Sequence, residues 1–198
     1  MTVHVSLKDH ASARPGPVVV GEEQVRHIAA REALLDAAFG EERFAKTCER
    51  LREGRLPADG LALVATMGDT LVGTVRLWNV SLGANRPGLM LGPLAVDTSL
   101  RSAGIGALLM REAIGRAREA GHRAVVLVGD EPYYRRFGFD PSKMERLWLP
   151  GPVERSRFLG LELAEGALGG ASGLVSPTGR EAPRWQGLEL GQAWRIAA

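Results

Sequence analysis

The chain has 198 residues, 45% hydrophobic and 24% charged, which suits one folded domain with enough apolar material for a core. The formal net charge is only +2, a small excess for a nucleic-acid binder even though arginine supplies 22 of the 25 basic residues. Cys48 is the only cysteine, which excludes an intrachain disulfide and a cysteine metal cluster. No apolar run reaches the ~18 residues of a membrane span, and the polar start MTVHVSLKDHASARPG lacks a hydrophobic signal core, so the compartment expected is the cytoplasm.

Residues 1–16 read as a loose leader. Val18, Val19 and Val20 form a β-branched run, a candidate first strand. A helix is expected over 22–39, with Val25, Ile28, Ala29, Leu35 and Phe39 near one face and Gly40 as its stop. A second helix is expected over 42–53, carrying Phe44, Cys48 and Leu51 about one turn apart and ended by Gly54. Cys48 then packs in the core. Residues 61–67 and 70–80 form a hairpin around Gly68 and Asp69.

The run 89–96, LMLGPLAV, is apolar enough for a strand buried on both faces. It contains Gly92 and Pro93, and proline cannot donate to a ladder, so a bulge or splay is required there. A helix over 104–120 puts Ile105, Leu108, Leu109, Ala113 and Ala117 on one face, with Gly121 ending it. Residues 123–128 form a further buried strand. The strand–helix–strand succession makes the two strands parallel, joined by a right-handed crossover. A short helix at 132–137 and weaker strands at 147–149 and 157–163 follow. From Gly166 the chain turns small and reads as a loop-like tail, with Trp185 and Trp194 available to dock back. The domain boundaries expected are therefore a leader at 1–16, a domain at 17–165 and a Gly/Ala-rich C-terminal extension at 166–198.

The segment that carries chemistry is Arg101-Ser102-Ala103-Gly104-Ile105-Gly106, between a buried strand and an amphipathic helix. Two glycines admit close approach of a ligand, and free N–H groups at a helix start point at an anion. The same glycines also serve a plain tight turn. Neither familiar phosphate loop fits. A dinucleotide fingerprint needs a third glycine where Leu109 stands, and no Walker lysine is present. His4, His10, His27 and His122 show no metal-ligand spacing, so no metal is expected.

The pattern resembles the GNAT acetyltransferase superfamily. Arg101–Gly106 fits its [Q/R]-x-x-G-x-[G/A] phosphate motif after the fourth strand, Gly92 and Pro93 fit the bulge where two parallel strands part, and Tyr134 lies four residues before the Gly138-Phe139 pair. The resemblance covers about residues 18–165. It implies an α/β fold with a mixed, splayed central sheet flanked by helices, acetyl-CoA as cosubstrate, and transfer to a small-molecule or peptide amine; the small net charge and the lack of an apolar span argue for no nucleic-acid or membrane partner. Dimers are common in this family, so a homodimer is within its scope. By position, Leu94, Ala95 and Val96 would offer backbone groups to the pantetheine and thioester, a strand N–H stabilising the oxyanion. Arg101, Ser102, Ala103, Gly104, Ile105 and Gly106 would hold the pyrophosphate. Tyr133 and Phe137 would pack on the cofactor, and Tyr134 would protonate the departing thiolate.

The general base stays open, because the run 89–96 has no carboxylate. Glu41, Glu42, Asp97, Asp130, Glu131 or a water relay are the candidates, and each carboxylate also reads as a solvated surface group. Trp78 and Trp148 read as core or pocket wall. Two functions follow: direct acetyl transfer to a primary amine in a ternary complex, or an acetyl-CoA-binding sensor or interaction module without efficient transfer. On the first, the acceptor enters beside 38–57 and the loop at 145–156.

Overall fold

A computed structural model describes residues 16–183. The leader, apart from Gly16, and the docking expected of Trp185 and Trp194 lie outside the described residues. Eight strands form one mixed sheet: β1 (Val18–Glu22), β2 (Ala62–Met67), β3 (Thr70–Leu82), β4 (Pro87–Val96), β5 (Ala124–Val128), β6 (Leu147–Trp148), β7 (Phe158–Glu162) and β8 (Gly173–Pro177). The main path runs β1-β2-β3-β4-β5-β7. All its neighbours are antiparallel except β4 and β5, which are parallel, as the crossover requires. The helices are α1 (Ile28–Phe39), α2 (Ile105–Glu119) and the short α3 (Glu131–Arg135).

Alternation along the strands sorts the core into two layers. Val75, Leu77, Leu89 and Val125 pack with Ile105, Leu109, Ala113 and Ala117 of α2. Their neighbours Trp78, Val80, Met90 and Val126 pack on the other face with Leu51, Met144, Leu147, Phe158 and Val175. Gly73 lets α2 approach the sheet: a Cβ there would stand 2.9 Å from Leu109 Cδ1.

The structure differs from the sequence expectations at several places. The segment expected as one helix over 42–53 is two 3-10 turns, Glu41–Ala45 and Thr47–Leu51, interrupted at Lys46, which is extended at ψ 143°. The first helix is shorter than expected because Glu22 still pairs in β1 and Val25–His27 forms a 3-10 turn. Its inward side is not purely apolar: Val25 is 84% exposed, whereas Arg31 is fully buried beside Leu35. On α2, Leu108 is partly exposed while Met110 and Ile114 are buried. Trp148 is 52% exposed, so it is neither core nor pocket wall.

The tail from Gly166, read as a loop, carries β8. This strand pairs antiparallel with Val80–Leu82 and parallel with β6. β3 is long enough to accept β8 where β2 ends: β2 pairs residues 70–76 and β8 pairs 80–82. The many glycines around it allow the turns but hide the strand from a compositional reading.

Candidate active site

The expected distortion lies in β4. Leu94 pairs with Val75 and Leu91 with Leu77, so Gly92 and Pro93 stand opposite the single residue Arg76. This is a bulge with one extra residue on β4. Gly92 has φ 132°, open to glycine and strained for other residues. Trp78, on the facing strand, donates from Nε1 to the Gly92 carbonyl at 2.6 Å, which satisfies a group the bulge removes from the ladder.

Beyond the bulge the sheet opens. β4 and β5 pair only at Leu89–Val125 and Met90–Val126. From Leu91 onward the edge of β4 that faces β5 has no strand partner among the described residues. A cleft of about 1270 Å³ occupies this opening, and residues 91–96 of β4 line it together with Val128, the last residue of β5, and Gly129 just after it.

The α2 start stands on one side of this cleft. Ser102 (φ 70°) and Gly104 (φ 82°) turn the backbone left-handed just before the helix. No side chain caps it. Leu108 N–H bonds Gly104 O at 3.0 Å, so the amides of the preceding turn lack helical partners, as at any helix start. Arg101 and Gly106 line the cleft. A Cβ on Gly106 would lie 2.8 Å from the Tyr133 hydroxyl, so this glycine lets the tyrosine pack directly against the start of the helix.

Tyr133 and Tyr134 both line the cleft, with rings edge to face at 4.9 Å. Tyr134 also meets Phe139 at 6.0 Å. Burial pushes its phenol up to about 12; Tyr133 adds to the rise and Arg157 opposes it. The hydroxyl therefore stays protonated through the whole physiological range.

The sequence-predicted site residues divide accordingly. Leu94, Ala95, Val96, Arg101, Gly106, Tyr133 and Tyr134 come together on the cleft. Ser102, Ala103 and Gly104 form the turn before α2, and the Ile105 side chain is buried in the core. Phe137 lies outside the cleft, in a shallow hollow beside α2 with Ile114 and Arg136. Of the carboxylates considered as base, Asp130 lines the cleft. Asp97 instead caps the turn Thr98–Leu100, accepting from the Ser99 amide at 2.8 Å and hydroxyl at 2.7 Å, which holds its carboxyl below the usual range. Glu131 pairs with Arg135. Glu41 and Glu42 do not line the cleft.

The opposite wall includes part of the 38–57 stretch expected beside the acceptor, but the chain of ion pairs behind it was not anticipated from the sequence. Arg76 is bidentate to Glu23 at 2.9 and 2.6 Å. Glu23 also takes Arg31 at 2.8 Å, Arg31 reaches Glu32 at 2.8 Å, and Glu32 binds Arg43, which holds Asp36 at 3.0 Å. This chain of alternating charges ties α1 and the turn after it to β3. Arg43 and Arg76 line the cleft, as do Arg52 and Cys48. Burial pushes the Cys48 thiol up, which disfavours a thiolate nucleophile there. The available signal for this wall was an arginine at position 31, between Ile28 and Leu35 on the inward side of a helix. No group of three or more metal-ligating side chains occurs among the described residues, and no described helix is long and apolar enough to cross a membrane.

A sheet parted between two parallel strands, with a helix start at the opening, is the arrangement expected of an acetyltransferase of the resembling family. The Acetyltransferase (GNAT) family profile matches residues 23–139, and the chain belongs to this family as a GNAT N-acetyltransferase. It is 34% identical over 145 residues to the uncharacterized N-acetyltransferase YhbS of Escherichia coli K12, a match covering 73% of this chain and 86% of that protein. The crystal structure of the GNAT family N-acetyltransferase YhbS from Escherichia coli in complex with CoA aligns with a TM-score of 0.71 at 32% identity, covering 85% of this chain and 94% of that one. A GNAT family acetyltransferase from Brucella melitensis in complex with acetyl-CoA aligns at 0.56 with 26% identity, covering 74% and 88%.

Proposed function

We propose that this protein transfers the acetyl group of acetyl-CoA to a primary amine by direct attack in a ternary complex. One observation carries the reading: the unpaired edge of β4, the α2 start and the Tyr134 ring share one cleft. The two relatives solved with CoA and acetyl-CoA support the choice of cosubstrate.

The residues present fit such a ligand. A pantetheine arm is an extended chain of amides, and the free edge of β4 over Leu94, Ala95 and Val96 offers backbone donors and acceptors to it. The amides preceding α2 with Arg101 suit a pyrophosphate, and Arg101 and Gly106 both border the cleft. Bound there, acetyl-CoA supplies an activated acyl group and a thiol leaving group. A strand amide of β4 then stabilises negative charge on the carbonyl oxygen.

Tyr134 delivers its phenolic proton to the departing sulfur. A phenol held near 12 is a neutral donor at working pH. Asp130 is the carboxylate of the predicted set with access to the cleft, and it or a water takes the proton of the attacking amine. The acceptor enters between the 43–49 segment and the 152–154 segment, both of which border the cleft.

The test combines binding with turnover. Acetyl-CoA should raise the melting temperature of the protein. With an amine panel, the wild type should release CoA thiol, and Tyr134→Phe should lower kcat about 10²-fold or more at equal acetyl-CoA affinity. No thermal shift with acetyl-CoA would overturn the reading. Binding without transfer to any amine would favour a sensor in its place.

A further inference from the structure

We infer that the acceptor is a small amine carrying a carboxylate or phosphate-type group within a few bonds of its nitrogen, and that Arg52 is the residue that binds this anion. The inference rests on the acetyl-transfer reading and names the substrate class for the same cleft.

Arg52 is 8% exposed, yet it borders the cleft. Its Nε donates to Glu49 at 2.5 Å. No other donor of this guanidinium has a partner among the described residues, and none of them is shut off from the cleft as an orphaned buried atom. This is a nearly buried cation with its outer donors available, the geometry that captures an oxyanion by two parallel hydrogen bonds.

The other cleft arginines on this wall differ. Arg76 has its fork closed on Glu23, and Arg43 is held between Glu32 and Asp36. On the same wall Glu32 has both oxygens held by arginines, and Glu49 gives one of its two to Arg52.

Position limits the size of the ligand. Arg52 Nη1 lies 3.8 Å from where a Cβ on Gly92 would stand. Leu94, whose backbone is proposed to face the thioester, is two residues further along and across the bulge, at most about 7 Å at ~3.3 Å per residue. An amine attacking there while its anion rests on Arg52 must carry the two groups close together. Amino acids and short aminophosphonates meet this requirement; diamines and polyamines lack the anion.

The experiment measures CoA thiol release by the full-length enzyme with glycine, β-alanine, L-glutamate and 2-aminoethylphosphonate. Glycinamide, ethylamine and cadaverine serve as matched controls without the anion. The expected result is at least tenfold higher kcat/KM for an anionic amine than for its control, the carboxylate and phosphonate members showing which anion is preferred. Arg52→Gln should raise the KM of that acceptor at least tenfold with the KM of acetyl-CoA within twofold, and Arg52→Lys should recover part of the loss. If Arg52→Gln does not fold, Arg52→Lys alone must still shift the acceptor KM and not that of acetyl-CoA. Equal or better turnover of the controls, or no turnover of any anionic amine while acetyl-CoA still binds, would overturn the assignment of Arg52. Failure to bind acetyl-CoA would instead overturn the acetyl-transfer reading beneath it.

Discussion

The ring of Tyr134 lies where a side chain on Gly129 would have to be: a Cβ at Gly129 would stand 2.2 Å from Tyr134 Cε2. Gly129 follows β5 directly, so the end of the strand that borders the cleft also seats the tyrosine proposed as proton donor. Gly129→Ala should displace the ring with little effect on the cofactor-binding residues of α2. The expected outcome is a kcat lowered at least tenfold with unchanged acetyl-CoA affinity, read by steady-state kinetics beside a binding titration. Equal kcat in the variant would show that the position of this ring does not matter to the reaction.

The high pKa of Tyr134 has a consequence for stability at alkaline pH. Burial favours the neutral phenol, so the folded pKa, about 12, lies above the ordinary value of 10. The resulting stabilisation is fully present below pH 10 and is lost as pH rises through the folded value. Two units correspond to at most about 3 kcal/mol. Urea unfolding between pH 9 and 12 should show wild type losing stability faster than Tyr134→Phe, which has no phenol to ionise. Parallel curves would contradict the burial of this hydroxyl.

Gly106 makes a different prediction. A methyl group there meets the Tyr133 hydroxyl at 2.8 Å, and the far end of a side chain can swing aside. Stability should change little in Gly106→Ala. The displaced Tyr133 ring, which lines the cleft, should weaken acetyl-CoA binding about tenfold, or ~1.4 kcal/mol. Calorimetric titration together with thermal melts separates the two effects.

The buried chain of charges behind the acceptor wall should be costly to interrupt. The Arg31 side chain is fully buried and that of Glu23 is 6% exposed. Arg31→Ala leaves Glu23 with one of its two arginines and a cavity beside it. A loss of about 3–5 kcal/mol is expected, read as a lower urea midpoint. A variant as stable as wild type would show that the chain is not structural.

Gly83 tests whether β8 is integral to the sheet. Its φ is 74°, and a Cβ would approach the Ser172 carbonyl oxygen to 1.9 Å. Backbone cannot yield as a side chain can, so Gly83→Ala should cost more than about 3 kcal/mol. The same loss should follow in the melting temperature. An unperturbed variant would mean that the segment before β8 is free to move away.

Much of the architecture was legible along the chain because it rests on local patterns. The run LMLGPLAV announced both a strand and its defect, since a proline has no N–H to give a ladder. The α2 helix declared itself by its inward Leu109, Ala113 and Ala117, and the Arg101–Gly106 segment by its glycines before a helix. Where the pattern was weak, expectation and structure part. The helix expected over 42–53 is broken at Lys46, and the glycine-rich stretch that holds β8 gains its order from pairing with β3, a contact far away in sequence.

The succession of strands from β1 to β7, the parallel crossover and the bulge follow from the sequence alone, because periodicity and proline chemistry act over a few residues. Which residues form the cleft was decided by the tertiary structure. Tyr134 and Gly129 meet across a short turn, but Arg76, Glu23 and Arg31 come from a strand, a strand end and a helix, and Phe137 faces away although Tyr133 and Tyr134, one turn earlier, face in. A buried arginine cannot be told from a surface arginine by residue type. Only the packing of α1 against β3 removes water from Arg31 and Glu23 and obliges them to pair, and only the parting of β4 from β5 leaves a strand edge without a partner.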